Sequence, residues 1–263
     1  MQKMKAFERG DVFMLTQERH ELILNLLEEK DTIKISELIH ITGASESTIR
    51  RDLSQLEEEN VLKRIHGGAT LSRKKTFEMS VAEKSARNIE EKRKIAHYAA
   101  SLIESGDCIF LDAGTTTYEM IPFLNDKDIT VVTNGLPHVA HLVQNEIVLF
   151  VIGGAVKHKT GALIGVNALE SLKQYRFDKA FIGANGVDAV YGYTTPDPEE
   201  AMVKRCAIDL AKESFILADE TKISEVSFAK IVDLKQAVVI TNELEDEQKA
   251  LLKEKTDIKV VTT

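Results

Sequence analysis

Five short segments of this 263-residue chain gather glycine with small polar side chains: DAGTTT at 112–117, TNG at 133–135, GG at 153–154, GANG at 183–186 and DETK at 219–222. Glycine lets a ligand approach the backbone closely, and hydroxyls beside the free N–H groups of a helix start suit an anion such as phosphate. DAGTTT has the sharpest pattern. Gly114, Thr115, Thr116 and Thr117 are candidates to hold a phosphate, while Asp112 and Asn134 would read hydroxyls. Thr133, Gly153, Gly154, Asn185 and Gly186 complete the candidate set. A phosphate dianion leaving water also needs a cation, because a helix N-terminus supplies only a fraction of a charge. Lys222 is the first choice and Lys204 the alternative.

A second kind of chemistry lies near the N-terminus. Ser45, Ser47, Thr48, Arg50 and Arg51 sit in SESTIRRDLSQLEEEN, and Lys63, Arg64 and His66 sit in VLKRIHGGATL. Between Val61 and Lys75 the basic residues Lys63, Arg64, Arg73, Lys74 and Lys75 meet no acidic one. In a chain of net charge −8 this one-sided patch is what phosphate contact on a nucleic acid requires. The overall acidity argues against nucleic acid as a partner for the whole surface, but such footprints are local.

The elements that would position these residues follow from periodicity. Residues 17–29 carry Leu22, Ile23, Leu26 and Leu27 at helical spacing. Ser36 opens a short helix that Gly43 ends. Ser45 caps a third helix whose Ile49, Leu53 and Leu56 form one stripe, with Ser47, Arg51 and Ser54 opposite and Arg50 on the flank. Two short helices, a glycine turn and a third helix make a helix-turn-helix, and the stretch at 61–71 reads as a hairpin wing about Gly67-Gly68.

Residues 72–80 read as a linker. Beyond them, helix-like EEKRKIAHYAASLIE, TTYEMIPFL, LPHVAHLV, VNALESLKQY, PEEAMVKRCAIDLAKE and EDEQKALLKE alternate with Val/Ile-rich CIFLDA, ITVVTN, IVLFVIGG, KAFIGA, FILAD, AVVIT and IKVVT. That alternation predicts an α/β domain with a mostly parallel sheet covered on both faces, whose ligands bind beyond the carboxyl ends of the strands. The expected organisation is a winged helix-turn-helix over 14–71, a linker over 72–80 and a larger domain over 81–263. Residues 1–13 read as a disordered extension, with Met14 an equally good start.

Several classes are disfavoured. VIGGAVKHKTG lacks the dinucleotide fingerprint, and neither a Walker loop nor a nucleophile elbow is present. His66, His97, His138, His141 and His158 lack metal-ligand spacing, and His138 with His141 reads as a solvated helix face. Cys108 and Cys206 read as reduced core thiols. With no apolar run of membrane length and no secretory leader, the chain is expected in the cytoplasm, away from the membrane. No cofactor, metal or catalytic residue is expected.

The motifs MLTQERHELILNLLEE, ASESTIRRDLSQLEEENVLKRIHGGA, EEKRKIAHYAASLIESGDCIFLDAGTTT, TVVTN, IGG, FIGANGV and ADETK resemble the DeoR family of sugar-metabolism repressors. The resemblance runs from about residue 14 to the end of the chain. It implies repression of a sugar operon through double-stranded operator DNA, release by a phosphorylated sugar, and assembly as a dimer or tetramer. It also implies a C-terminal domain similar to the ribose-5-phosphate isomerase and coenzyme A transferase fold. Isomerases of that fold carry catalytic aspartates where this chain reads Ile182-Gly183-Ala184-Asn185-Gly186, so the resemblance points to binding without proton abstraction. The alternatives are an isomerase-like enzyme using Glu199, Glu200 or Asp219 as base, and a transcriptional activator. ASESTIRRDLSQLEEEN with MLTQERHELILNLL most resembles the fructose-operon repressors of Gram-positive bacteria, which implies fructose 1-phosphate as inducer.

Overall fold

The computed structural model describes residues 14–30, 32–59, 61–71, 78–125, 127–145 and 147–261. The chain forms two compact units that divide between Lys74 and Lys75.

The first unit runs α1 (Thr16–Lys30), β1 (Thr32–Lys34), α2 (Ile35–Thr42), α3 (Glu46–Glu58), β2 (Leu62–Ile65) and β3 (Gly68–Leu71). Ile23, Leu27, Ile33, Leu38, Ile49, Leu53, Leu56, Leu62 and Ala69 join all six elements in a single core. The expected helix-turn-helix and wing are present, with three refinements. Helix α2 starts at Ile35 rather than Ser36 and has no side-chain cap. The wing caps it instead: Ile35 N–H donates to Gly67 O at 2.9 Å, satisfying a group left open at any helix start. The wing turn is His66-Gly67 rather than Gly67-Gly68. Gly67 takes φ +80°, whereas Gly68 is paired in β3 with Ile65 on one side and Lys34 on the other. A Cβ on Gly68 would lie 2.2 Å from Ile33 O, so glycine is required there for close approach of β1. Finally, β1 joins the wing as an edge strand, in the order β1-β3-β2.

Asp52, fully buried, ties α1 to α3. It accepts from Arg19 Nε at 2.6 Å and from Arg19 Nη2 at 3.0 Å. A two-pronged guanidinium–carboxylate pair of this kind sets orientation as well as energy.

The second unit is built on a parallel sheet of seven strands: β4 (Cys108–Leu111), β5 (Thr130–Thr133), β6 (Val148–Val151), β9 (Phe177–Gly183), β12 (Ala211–Leu217), β14 (Val238–Thr241) and β15 (Ile258–Val260). Their order is β15-β14-β12-β9-β4-β5-β6. The intervening helices are α4 (Val81–Ser85), α5 (Ile89–Ser101), α6 (Thr115–Tyr118), α7 (Leu136–Gln144), α8 (Val166–Leu172), α9 (Pro198–Asp209) and α10 (Asp246–Lys253). Alternate residues of β4 serve the two faces. Phe110 packs with residues of α8 and α9, while Ile109 and Leu111 pack with residues of α5 and α7. This is the expected doubly covered sheet.

Two antiparallel additions stand outside it: the hairpin β7 (Ala155–Lys157) with β8 (Ala162–Ile164), and a small sheet of β10 (Gly186–Asp188), β11 (Gly192–Thr195) and β13 (Ala229–Val232). The expected helix TTYEMIPFL is split. It stops after Tyr118 and resumes as a 3-10 turn at Ile121–Phe123, where Pro122 has no N–H to continue an α-helix. Of the expected linker, 72–77 lies outside the described residues, and 78–80 are packed into the second unit, with Glu78 buried and Ser80 capping α4. The extension 1–13 also lies outside them.

Cys108 and Cys206 are free thiols, both partly buried; burial raises the Cys206 pKa. Among the described residues no helix is long and apolar enough to cross a membrane, and no group of His, Cys, Asp and Glu could hold a metal ion.

Candidate DNA-binding surface and ligand site

On the first unit, Ser45 forms the N-cap of α3. Its Oγ accepts from Thr48 N–H at 3.2 Å and lies 2.9 Å from Ser47 Oγ and 2.8 Å from Thr48 Oγ1. The three hydroxyls thus form one exposed cluster at the start of the helix. Arg50 is exposed but engaged: it donates from Nε at 2.9 Å and from Nη2 at 2.7 Å to Glu46 one turn back. Arg51 is exposed with no polar partner among the described residues. On the wing, Lys63 and His66 are exposed, and Arg64 donates to Ser54 Oγ at 2.7 Å, joining wing to helix. The structure therefore gathers all eight candidates on α3 and the hairpin beside it. Among the described residues Arg51 and Lys63 have no polar partner, while Arg50 and Arg64 are pre-positioned. Arg73, Lys74 and Lys75 lie outside the described residues.

On the second unit, the chain leaves β4 for β5 on one side and takes up β9 on the other. The crevice beyond the carboxyl ends of β4 and β9 is thus a topological switch point, where open α/β sheets bind ligands. Loop 112–117 and loop 183–186 meet there. Asp112, 1% exposed, accepts from Gly183 N–H at 3.0 Å and forms an ion pair with Lys204 of α9. Lys204 also donates to Gly183 O at 3.0 Å. Asn134 Oδ1 accepts from Ala113 N–H at 2.9 Å, drawing in the loop after β5.

Several candidate side chains are occupied in holding this rim together. Thr117 Oγ1 accepts from Gly114 N–H at 3.0 Å and donates to Asp112 O at 2.5 Å. Thr133 Oγ1 donates to Leu111 O at 2.6 Å. Gly154 packs so tightly that a Cβ would meet Ile164 O at 2.7 Å, and a Cβ on Gly186 would meet Glu225 O at 2.3 Å. Gly153 donates to Ser171 Oγ at 3.2 Å, and Asn185 Oδ1 accepts from Thr195 Oγ1 at 3.2 Å. Thr115 and Thr116 differ: their N–H groups open α6 and meet no carbonyl among the described residues, and their hydroxyls are unengaged there. Lys222 is partly exposed and donates to Thr221 Oγ1 at 3.0 Å.

His138 is a correction. It is buried rather than solvated, with its Nε2 3.3 Å from Thr117 Oγ1, and desolvation lowers its pKa to about 3. His141 is exposed as expected.

A network of charges with no signal in the sequence ties Glu78, near the start of the second unit, to residues far along the chain. Glu78 accepts from Lys157 Nζ at 2.5 Å and from Lys84 Nζ at 3.2 Å. Lys157 also reaches Asp197 at 2.8 Å and Glu200 at 3.1 Å, and Glu200 accepts from Thr160 Oγ1 at 2.9 Å. Burial alone would lower the Lys157 pKa, but its bonds to Asp197 and Glu78 outweigh burial and raise it. These partners are far apart in sequence, so no spacing signals them. Lys92 did have a signal. It occupies the apolar stripe of α5 with Ile95, Ala96 and Ala99 and is buried with them. Its Nζ donates to Lys84 O and, at 2.8 Å, to Arg87 O; desolvation lowers its pKa from 10.5 to about 8, against the pull of Asp219.

The DeoR-like helix-turn-helix domain family matches residues 19–75, and the DeoR C terminal sensor domain family matches residues 87–243. The chain is 52% identical to the HTH-type transcriptional regulator FruR of Bacillus subtilis, itself uncharacterized, over 94% of this chain and 99% of that one. It is 35% identical to the lactose phosphotransferase system repressor of Staphylococcus aureus, over 90% of this chain and 95% of that one. Among solved structures, ribose 5-phosphate isomerase A of Methanocaldococcus jannaschii overlaps 52% of this chain and 55% of that one, with 22% identity and a TM-score of 0.40.

Proposed function

The chain belongs to the DeoR family of DNA-binding transcriptional regulators, and from that premise we propose that it represses a sugar-utilisation operon in the bacterial cytoplasm and leaves the operator when a phosphorylated sugar binds. Arg51, with Ser47 and Thr48, reads base edges in the major groove, while Lys63, Arg64 and His66 hold the backbone or the adjacent minor groove. One recognition helix per chain is too small a reader for tight specific binding, so the protein acts as a homo-oligomer on repeated half-sites.

The observation that carries the ligand reading is the convergence at the β4/β9 switch point. The unpartnered N–H groups and hydroxyls of Thr115 and of Thr116, the latter buried, stand on a loop held by Asp112 and Thr117 and braced by Asn134 of the neighbouring loop. A phosphate there takes the N–H groups, with Lys222 as the freer cation because Lys204 is committed to Asp112. Asp112 and Asn134 accordingly act more by shaping the site than by reaching hydroxyls. An enzymatic reading finds little support, since Glu199 is exposed, Glu200 is engaged by Lys157 and Thr160, and Asp219 by Thr221 and Asn88. The sequence resemblance to fructose-operon repressors favours fructose 1-phosphate as the sugar.

The test is operator binding titrated with a panel of sugar phosphates. Fructose 1-phosphate is expected to weaken operator binding, and operator to weaken sugar-phosphate binding by the same factor, as linkage requires. Equal ligand affinity with and without operator would exclude that sugar as inducer. Indifference to the whole panel would overturn the sensing reading.

A further inference from the structure

Strand β6 ends the seven-stranded sheet. It pairs with β5 on one side, and no described residue bonds to its other edge. Ile152 N–H points back to Thr133 O at 3.1 Å. By alternation, Leu149 and Val151 turn their N–H and C=O groups outward. Free edges in natural sheets are usually guarded by charge, proline or a bulge. This edge reads VLFV, and its pairing with β5 shows no register shift. Val148 is 58% exposed, Phe150 45% and Val151 39%, and Val143 on the adjoining α7 is 61% exposed. From Leu136 to Val156 the sequence holds a single charged residue, Glu146, in a chain that is 29% charged. Depletion of charge around exposed apolar side chains is the composition of an interface core.

We infer that β6 is the self-association edge of the second unit, pairing antiparallel with β6 of a second copy about a two-fold axis perpendicular to the sheet. An antiparallel strand pair is self-complementary, so one patch serves both copies, as a closed two-fold dimer requires. Among its described residues the patch carries no charged side chain that would select a partner of another kind, whereas a single recognition helix per chain calls for a second copy. With Leu149 of both copies on the axis, each Val148 faces Phe150 of the other copy. Val148 and Phe150 of both copies therefore meet on one face of a continuous sheet, with Leu149 and Val151 on the other. Val143 then lies beside the junction and extends the apolar contact beyond the short ladder.

This rests on the oligomeric reading above and adds the surface to it. The experiment is sedimentation of the full-length protein without DNA or ligand. Val148→Lys and Val148→Glu, each alone, are expected to raise the self-dissociation constant by at least about tenfold through like charges on either side of the axis. A 1:1 mixture of the two is expected to regain association, which a misfolded chain cannot do. Phe228→Asp, on the separate apolar patch with Val190 and Tyr191, is expected to leave the mass unchanged. If the wild type is monomeric, both the assembly and this surface are overturned. If it associates but both Val148 variants associate equally well, or Phe228→Asp alone dissociates it, the assembly stands and this surface is overturned.

Discussion

Lys204 and Asp112, ninety-two residues apart, form a buried ion pair that bolts α9 to the end of β4, with both groups also bonded to the backbone of Gly183. Removing one partner strands the other as an uncompensated buried charge, at a cost of about 3–5 kcal/mol. Urea unfolding of Lys204→Met is expected to show a loss of that order. Lys204→Met combined with Asp112→Asn is expected to lose clearly less than the sum of the single changes. Additive losses would mean that the two do not act as a pair.

Arg51 and Arg50 are neighbours with different expectations. Arg51→Ala is expected to weaken operator binding by about 1–3 kcal/mol and to relax specificity at one base pair, the signature of a lost base contact. Arg50→Ala is expected to cost less, because Arg50 must first release Glu46. Fluorescence anisotropy with operator and scrambled duplexes separates them. Equal affinity of the folded Arg51→Ala protein for operator would remove this face of α3 from the groove.

The wing is expected to act through phosphates. Neutralising Lys63 should weaken every duplex and flatten the plot of log affinity against log salt by about one unit of slope. Neutralising Arg64 as well should bring the total towards about two. An unchanged slope in both would show that the hairpin does not touch DNA.

Thr115→Glu places a like charge where the phosphate is expected. The resulting protein should still bind operator but ignore the sugar phosphate. Lys222→Ala should weaken the ligand without abolishing it, since the loop N–H groups remain. Calorimetry reads both directly. Normal ligand affinity in Thr115→Glu would reduce 114–117 to an ordinary turn.

Lys92 lies within electrostatic reach of Lys222, the proposed phosphate cation, and is expected to give ligand binding a pH signature. Its folded pKa, about 8, lies below the 10.5 of an open lysine, so burial penalises the charged form. The unfolded chain therefore holds more protons between pH 8 and 10.5, and the penalty is full below that window and relieved as pH rises through it. A phosphate arriving nearby favours the ammonium, so binding at pH 8.5 is expected to take up a fraction of a proton. Calorimetry in buffers of different ionisation enthalpy detects this. Lys92→Met should abolish the uptake, and zero uptake in the wild type would separate Lys92 from the ligand.

What was legible in the sequence were patterns with a period. The stripe Ile49-Leu53-Leu56 located the recognition helix, and the continuous runs CIFL and TVVT located buried parallel strands. The three-residue strands β7, β8 and β10 are too short and glycine-bounded to show alternation, so the antiparallel additions went unread. The rim loops were readable as a set because glycine and threonine recur after successive strands. Which of them are joints and which are open was not, because the division depends on contacts such as Asp112 with Lys204 and Asn134 with Ala113. The burial of His138 is not legible in the sequence, because a polar residue on an amphipathic helix reads as solvated unless its tertiary neighbours are known.

The packing of Gly68 against Ile33 has a genetic consequence. Any side chain at that position collides with the carbonyl of β1, while the two units keep separate cores, so one missense change would disable DNA reading and leave the proposed sugar sensing intact. Such an allele would be constitutive rather than uninducible. If the chains assemble as proposed, it would also be dominant in a cell carrying both alleles, because defective chains would enter shared assemblies and spoil the intact ones.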